Sequence, residues 1–316
     1  MLCDTDLIKA SGYALMDNAY DILLSGNIVK GMDYLILGMR AIKNQYSTGE
    51  WNKFSQIIFL NHPIVQLIHQ CPFTFHSFTK PRGYAGDAEL LDFIYGFNQS
   101  SPNLSAFGRK IFEYNCEALS SCSSVRDRRD ILAKTIDDVA SSVTHPVQIL
   151  SVACGHLREA QKSTAIRERG ESIGKLFAFD QDKLSLKLIN RELTNPSIET
   201  IQGSVTTLVR KKQIFENLDL VYAAGLYDYL SQPLATRLTK IMFEMLRPGG
   251  KLLVANFIPD HREVGFMETF MQWKLVYRNE SQIEDIAKEI SVSEIAHKKI
   301  FLESNKNIVF LELIKS

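Results

Sequence analysis

The segment from Ile149 to Ala160, ILSVACGHLREA, constrains the fold of this chain more than any other stretch. Its apolar first half is typical of a buried strand, Gly155 predicts a tight turn, and the residues after it are typical of the opening of a helix. A strand that enters a helix in this way leaves backbone N–H groups free to receive a polar or anionic ligand group. The run differs from the three-glycine dinucleotide pattern, because Ala153 and Arg158 stand where glycine would be expected.

Short apolar runs alternate with helical segments after this unit. The later runs are LFAFD, a short run before Gly203, LDLVYA, and KLLVANF after the turn RPGG. Repeated strand–helix units of this length predict a parallel sheet covered by helices on both faces. The last two runs, KKIFLES and IVFLELIKS, flank Asn305–Asn307 and predict an antiparallel hairpin. We therefore predict an α/β fold with a Rossmann-like, doubly wound, mostly parallel seven-stranded sheet that ends in an antiparallel hairpin.

The N-terminal part of the chain has a different pattern. Apolar residues at spacings of three and four predict a succession of helices, interrupted by a loop at Ser100–Asn103 and a polar linker at Ser120–Ser124. The run RDRRD at 126–130 is typical of a solvated helix start. The pattern predicts an all-helical cap or substrate domain over residues 1–124 and a ligand-binding α/β domain over residues 125–316.

Composition argues against several classes of function. Lys+Arg and Asp+Glu both number 36, so no net field favours nucleic acid or an anionic membrane. The chain has no apolar run long enough to cross a bilayer, and its first residues lack a signal-peptide pattern. The five cysteines are odd in number and lack CxxC spacing, which argues against a disulfide scaffold or a zinc site. We expect a cytoplasmic protein without a metal site, nucleic-acid partner or stable membrane insertion.

The loop Lys80–Asp87, KPRGYAGD, carries mixed chemistry that allows two interpretations. In the first it is a turn shaped by proline and glycine, and Asp87 caps a helix that begins near Ala88. In the second it is a lid that brings Arg82, Tyr84 and Asp87 to a small ligand. The residues alone favour neither interpretation.

Ligands of a doubly wound sheet bind outside the carboxyl ends of its strands. Asp180, after the second strand, could accept hydrogen bonds from both hydroxyls of a ribose, or could cap the following helix. Ser204 could meet the edge of an adenine, or could form a plain turn. The residues at the expected strand ends are Gly155, Asp180, Gly203, Ser204, Gly225, Tyr227, Asp228, Tyr229 and Asn256.

The missing glycines favour a cofactor without phosphate. A pyrophosphate requires close backbone approach and therefore three glycines. S-adenosylmethionine has an amino-acid tail instead, which requires a cation for its carboxylate and an acid for its ammonium group. The candidates are Arg82, Arg158, Asp87 and Asp228. The turn RPGG and the closing hairpin also favour a methyltransferase over a dehydrogenase.

The order of the motifs resembles the class I S-adenosylmethionine-dependent methyltransferases over about residues 145–316. The motifs that carry it are ILSVACGHLREA, FAFDQD, IQGSV, DLVYAAGLYDYL and LRPGGKLLVANF, followed by the hairpin. A narrower resemblance is to a bacterial subgroup whose known members form 3-hydroxy fatty acid methyl esters, such as 3-hydroxypalmitate methyl ester, as signalling molecules. It is carried by KPRGYAGDA at 80–88, the ACGxxRE form of the first motif, AGLYDYL at 224–230 and MQWKLVYR at 271–278.

The resemblance implies site residues. It implies Gly155 at the methionine end of the cofactor, Asp180 at the ribose and the turn Gly203–Val205 at the adenine, with Ser151 and Ser204 where the family usually has acids. The predicted cofactor-binding residues are Ala153, Gly155, Arg158, Asp180, Gln181, Gly203, Ser204, Val205, Gly225 and Tyr84. The predicted catalytic residues are Arg82, Tyr84, Asp87, Tyr227 and Asp228.

Three functions remain open. A carboxyl O-methyltransferase of a hydroxy fatty acid or similar small acid needs no general base, and an arginine or tyrosine would orient the acceptor. The pool for that role is Arg82, Tyr227, Trp273, Tyr277 and Arg278. A small-molecule N-methyltransferase would need an acid or tyrosine to take a proton, and the candidates are Tyr84, Asp87, Asp228 and Tyr229. A non-catalytic cofactor-binding protein is the third function, and a homodimer is compatible with each.

Overall fold

The computed structural model describes residues 4–97, 104–168 and 171–316, so the loop predicted at Ser100–Asn103 lies outside the described residues. The chain divides into two compact units. The first comprises the residues up to Val125 together with Asp260–Lys274, and the second comprises Arg126–Pro259 and Leu275–Ser316. The segment Asp260–Lys274, which the sequence pattern assigned to the second domain, therefore groups with the N-terminal helices.

The regular elements described for the first unit are all helical. Its helices are α1 (Asp4–Leu24), α2 (Ile28–Lys43), α3 (Thr48–Phe54), α4 (Ile64–Ile68), α5 (Pro72–Thr79), α6 (Ala88–Tyr95), α7 (Ala106–Glu113), the first part of α8 (Ser120–Ser142) and α13 (Val264–Phe270), with π-helical turns at Ser55–Phe59 and Tyr114–Ala118. The polar stretch predicted as a linker, Ser120–Ser124, is instead the first turn of α8, so that prediction is wrong.

Ion pairs connect the segment Asp260–Lys274 to the N-terminal helix α2. Arg40 on α2 donates two hydrogen bonds to the carboxylate of Asp260, at 2.9 and 3.0 Å. One turn later, the Lys43 ammonium lies 2.8 Å from the Glu268 carboxylate, and both side chains are largely buried. These contacts join residues more than two hundred positions apart, which local periodicity does not encode.

The second unit is built on one seven-stranded sheet in the order β3-β2-β1-β4-β5-β7-β6. Strands β1 to β5 are parallel, whereas β7 is antiparallel to both β5 and β6. The strands are β1 (Val147–Val152), β2 (Ile173–Asp180), β3 (Ile198–Gln202), β4 (Leu218–Ala223), β5 (Leu246–Phe257), β6 (Ile295–Leu302) and β7 (Ile308–Lys315). The predicted fold class is confirmed: a mostly parallel sheet ends in an antiparallel hairpin.

Helices cover the sheet, as buried parallel strands require. Every residue of β4 is buried, and α12 packs Leu238 and Met242 into the same core. The helices of this unit are the rest of α8, α9 (Thr164–Arg167), α10 (Lys183–Glu192), α11 (Val205–Val209), α12 (Gln232–Glu244) and α14 (Glu280–Asp285). None of the helices in the described ranges combines the length and apolar character needed to cross a bilayer.

The segment after β1 departs from the predicted strand–turn–helix unit. A single 3₁₀ turn, Arg158–Gln161, follows the strand, and the next helix is only the four-residue α9. The described residues after Gly155 therefore form a 3₁₀ turn and a short helix instead of opening directly into one α-helix, and a cofactor group at this turn stays a prediction.

Candidate functional site

The candidate site lies at the carboxyl edge of the parallel strands in the second unit. Strand β1 has β2 on one side and β4 on the other, so the strand order reverses between β1 and β4. In doubly wound sheets this reversal opens a crevice in which ligands bind. Because the strands are parallel, the turns after β1, β2, β3 and β4 all meet at this edge.

The turn after β1 has an unusual backbone. Ala153, Gly155 and Leu157 all have left-handed conformations, with φ of +54°, +55° and +52°. Only glycine adopts this region without a steric cost, so two of the three residues are strained. Strain of this kind persists where surrounding contacts hold the backbone, and it is concentrated at functional sites.

Asp180 supplies one of those contacts. Its Oδ2 accepts the Gly155 N–H at 2.8 Å, and its Oδ1 accepts the Asp182 N–H at 2.8 Å. The cap of α10 is Asp182, which accepts the Leu184 N–H at 2.9 Å, so the interpretation of Asp180 as that cap is wrong. Burial raises the pKa of Asp180, while the backbone N–H groups act to lower it. Each carboxylate oxygen retains capacity for a second donor, such as a ribose hydroxyl.

The turn after β3 is shaped by packing. A Cβ at Gly203 would lie 2.4 Å from ring carbons of Phe179, so no larger residue fits there. The Ser204 amide donates to Thr207 Oγ1 at 3.1 Å, and Val205 begins α11. The amide of Ser204 is thus engaged within the turn, whereas Gln181, between β2 and α10, is exposed.

Tyr227 is a core residue and does not line an open reaction centre. Its side chain is fully buried, and its hydroxyl lies 2.9 Å from Thr239 Oγ1 on α12. Burial is also the main reason that the pKa of its hydroxyl is raised. The prediction of a catalytic Tyr227 is therefore corrected, because the periodicity of a short apolar segment does not show which face is inward.

Asp228 is buried as well, but its carboxyl group can still gain or lose a proton near neutral pH. Its Oδ1 accepts the Phe257 N–H at 2.7 Å, which fixes the end of β5. Burial raises its pKa to about 6, against the opposing effects of Arg128 and the Phe257 N–H. The Oδ2 atom lies 3.9 Å from Arg128 Nη1, too far for a hydrogen bond.

Arg278, predicted as one candidate to orient the acceptor, is a structural link. Its guanidinium donates to the carbonyl oxygens of Tyr227 and Leu230 at 2.7 Å, to Asn256 Oδ1 at 2.6 Å and to Gln232 Oε1 at 2.8 Å. Arg278 is 1% exposed, and four of its five N–H donors are committed to the protein by these bonds. It joins the loops that follow β4 and β5.

The loop Lys80–Asp87 belongs to the first unit. Asp87 is fully buried and caps α6 by accepting the Leu90 N–H at 2.8 Å, while His76 Nε2 lies 2.9 Å from both carboxylate oxygens. The structure shows the turn-and-cap interpretation of Asp87, while its catalytic role stays a prediction. Arg82 lies 3.2 Å from Glu89. The cofactor contact of the half-buried Tyr84 stays a prediction.

The cation predicted for the cofactor carboxylate in the turn after β1 is already paired. Arg158 is buried, and its Nη1 lies 2.7 Å from Glu192 Oε2 on α10. That ion pair joins the 3₁₀ turn to α10. Arg158 is therefore a structural residue, and its predicted role as a carboxylate ligand is corrected.

Three buried residues at this edge were missed at the sequence level. The Tyr222 hydroxyl donates to Glu159 Oε1 at 2.7 Å, and burial raises the pKa of Glu159. Arg128 on α8 donates from Nη1 to the Ala224 carbonyl oxygen at 2.9 Å. The solvated interpretation of RDRRD is wrong for Arg128, which shares a helix face with the buried apolar residues of α8 at spacings of three and four. That spacing in the sequence could have predicted that Arg128 is buried.

Comparisons with known proteins agree with this fold. No family model matches the chain. A curated relative, the malonyl-[acyl-carrier protein] O-methyltransferase of Halalkalibacterium halodurans, is 28% identical over 119 residues, which are 36% of this chain and 41% of that protein. The chain thus matches about two fifths of the length of that relative.

Two solved structures are similar over larger parts of the chain. One, described as a possible exported protein of Bordetella parapertussis, has a TM-score of 0.58 and 14% identity, and the match covers 100% of this chain and 99% of that one. The other, named as a candidate methyltransferase of Thermobifida fusca YX, has a TM-score of 0.50 and 14% identity over 72% of this chain and 94% of that one. At such identities the similarity shows the fold alone, which is the Rossmann-like fold of methyltransferases.

Proposed function

We propose that this chain is an S-adenosylmethionine-dependent methyltransferase that acts on a small-molecule acceptor. The observation that carries the proposal is the Asp180 carboxylate, which stands at the carboxyl end of β2 and is bonded to Gly155 in the turn after β1. An acid in this place, beside the crevice between β1 and β4, suits the two hydroxyls of a ribose. The partial similarity to an O-methyltransferase supports the same function.

The residues present fit this cofactor better than a dinucleotide. The turn after β1 has one glycine and two strained larger residues, and the described residues that follow it form a 3₁₀ turn rather than a long helix that could receive a pyrophosphate. Asp180 would hold the ribose, and the turn at Gly203 would border the adenine beside the Phe179 ring. When bound, S-adenosylmethionine supplies a methyl group on a positively charged sulfur.

In such a transfer the protein positions the cofactor and the acceptor and keeps water out of the site. The strained turn, held by Asp180, and the loop after β4, held by Arg278, would keep the crevice in one conformation. Tyr227 is unsuited to take a proton, because its hydroxyl is buried against Thr239. An acceptor that is already anionic needs no such residue, whereas an amine acceptor would leave Asp228, whose pKa is raised to about 6, as the acid that takes the proton.

We further propose that the acceptor is the carboxyl group of a hydroxy fatty acid or a similar small acid. A carboxylate is a nucleophile near neutral pH and requires no general base. The KPRGYAGD motif and the ACGxxRE form of the first motif support this acceptor class through their resemblance to the methyl ester subgroup. The relative named as an O-methyltransferase of a malonyl group, which bears a carboxylate, supports it as well.

Titration calorimetry with S-adenosylhomocysteine tests the cofactor. We expect Asp180→Ala to weaken binding by about 10- to 100-fold, since a charged hydrogen-bond acceptor is lost. Asp182→Ala is the matched control, because it removes the neighbouring carboxylate that caps α10. It should change the affinity by no more than about threefold. Absence of binding to the wild-type protein at high ligand concentration would contradict the proposed function.

Stability of the methylated product separates the two acceptor classes. The protein is incubated with labelled S-adenosylmethionine and either 3-hydroxy fatty acids or a panel of small amines. We expect the label in the hydroxy fatty acid. Mild base should release this label, because it hydrolyses methyl esters. Base-stable label in an amine would instead identify the protein as an N-methyltransferase.

A further inference from the structure

Arg128 is a buried cation with few partners. Its side chain is only 4% exposed, and of its five N–H donors the structure pairs one site, Nη1, with the Ala224 carbonyl oxygen at 2.9 Å. The nearest carboxylate within the described residues is that of Asp228, 3.9 Å from Nη1. A buried guanidinium that has no hydrogen-bonded carboxylate partner is costly, so this arrangement favours the arrival of an anion.

Glu159 is the acidic counterpart of Arg128. It is buried, and its Oε1 accepts the Tyr222 hydroxyl at 2.7 Å. Within the described part of the chain, Glu159 and Arg128 form no direct ion pair, although the positive charge of Arg128 acts to lower the pKa of Glu159. The edge therefore holds one positive and one negative group that do not neutralise each other by contact.

The two groups flank the point where the strand order reverses. Glu159 lies in the turn after β1, and Arg128 contacts the residue after β4. A Cβ at Gly225 would lie 3.7 Å from Arg128 Nη2, so a long side chain there would reach the guanidinium. The Tyr222 hydroxyl also interacts with Ser151, which links Glu159 to a position where an acid was expected.

We propose that Arg128 binds the carboxylate, and Glu159 the ammonium group, of the amino-acid tail of the cofactor. This inference rests on the proposed methyltransferase function. The tail is a zwitterion whose two charges match this pair, and each charged hydrogen bond would relieve a buried charge. Arg158 is excluded from the role by its ion pair with Glu192 at 2.7 Å. Arg129, the neighbour of Arg128, is paired with Asp130 at 2.9 Å.

Three ligands of graded structure test the assignment in calorimetry. S-adenosylhomocysteine has both charged groups, its decarboxylated counterpart S-adenosyl-3-thiopropylamine has only the ammonium group, and 5′-methylthioadenosine has neither. Arg128→Gln should weaken S-adenosylhomocysteine binding by about 10- to 100-fold and leave the other two ligands within about twofold. Glu159→Gln should weaken both ammonium-bearing ligands by about tenfold and leave 5′-methylthioadenosine within about twofold.

Arg158→Gln is the matched control, since it removes a buried arginine at the same edge. It should change the affinities for all three ligands by the same factor, so the ratios between these affinities stay at the wild-type values. Equal losses for the three ligands in Arg128→Gln, or a change of ratio in Arg158→Gln alone, would overturn the assignment while the proposed function stands. Wild-type protein that binds none of the three ligands would contradict the proposed function itself.

The wild-type protein gives a test that does not depend on the folding of a variant. S-adenosylhomocysteine should bind about tenfold or more tightly than its decarboxylated counterpart. Equal affinities for these two ligands would overturn the role of Arg128. Equal affinities for the decarboxylated counterpart and 5′-methylthioadenosine would overturn the role of Glu159.

Discussion

Asp228 shows how a residue expected to do chemistry also joins strands. Its side chain accepts the Phe257 N–H at the end of β5, and its carbonyl oxygen accepts the Val276 N–H at 2.7 Å. Burial raises its pKa to about 6. The protonated acid is thus favoured in the folded protein, relative to an unfolded chain in which an aspartate titrates near its ordinary value.

The raised pKa of Asp228 predicts a pH-dependent loss of stability. Because the folded state binds this proton more tightly, the free energy of unfolding falls as pH rises from about 4 through about 6. Asp228→Asn removes the titrating group and keeps an oxygen for the Phe257 N–H. The free energy of unfolding of the variant, relative to that of the wild type, should therefore increase across this pH range by up to about 3 kcal/mol.

Urea unfolding of both proteins between about pH 4.5 and about pH 7.5 measures this difference. Subtracting the two curves cancels the titration of the other carboxylates, which the proteins share. A stability difference that is constant with pH would contradict the raised pKa.

At the scale of elements, Arg278 shows how loop ends are held together. It bonds to the carbonyl oxygens of Tyr227 and Leu230 after β4, to Asn256 near the end of β5, and to Gln232 at the start of α12. Buried carbonyl oxygens that lose a charged donor remain desolvated without compensation, which is destabilising. The loops that border the crevice therefore depend on one side chain from a distant part of the chain.

Arg278→Met should lower the free energy of unfolding by about 3 kcal/mol or more, because it removes four hydrogen bonds and leaves buried acceptors unpaired. Arg237→Met, on the exposed face of α12, is the control and should cost no more than about 0.5 kcal/mol. Thermal and urea unfolding measure both variants. Equal stability of the two would show that the Arg278 hydrogen bonds contribute little.

The cap of α6 is a second element-scale case. Asp87 accepts the Leu90 N–H and contacts His76, so it holds the start of the helix. Asp87→Ala should destabilise the helical unit by about 2 kcal/mol, whereas Asp87→Asn keeps the capping oxygen and should cost less than about 1 kcal/mol. Hydrogen exchange of the α6 amides reports the change directly. Wild-type exchange rates in Asp87→Ala would contradict the capping role.

At the scale of the whole molecule, the chain is divided into two compact units whose composition is not a simple split of the sequence. Asp260–Lys274 leaves the second unit between β5 and α14 and groups with the helices of the first. The equal numbers of acidic and basic residues leave the protein without a net charge at pH 7. No overall field therefore steers a charged ligand to the protein, and the proposed recognition by Arg128 and Glu159 would act only at short range.

The sequence by itself determined the α/β fold of the second unit, the closing hairpin, the helical character of the first unit and the position of Asp180. Periodicity and turn residues act over short distances along the chain, so these features can be predicted locally. Only the tertiary structure decided that Tyr227 and Arg278 are structural and that Asp260–Lys274 joins the first unit. It also brought Arg128 beside Ala224, because the partners of a buried charge come from distant segments that spacing alone does not reveal.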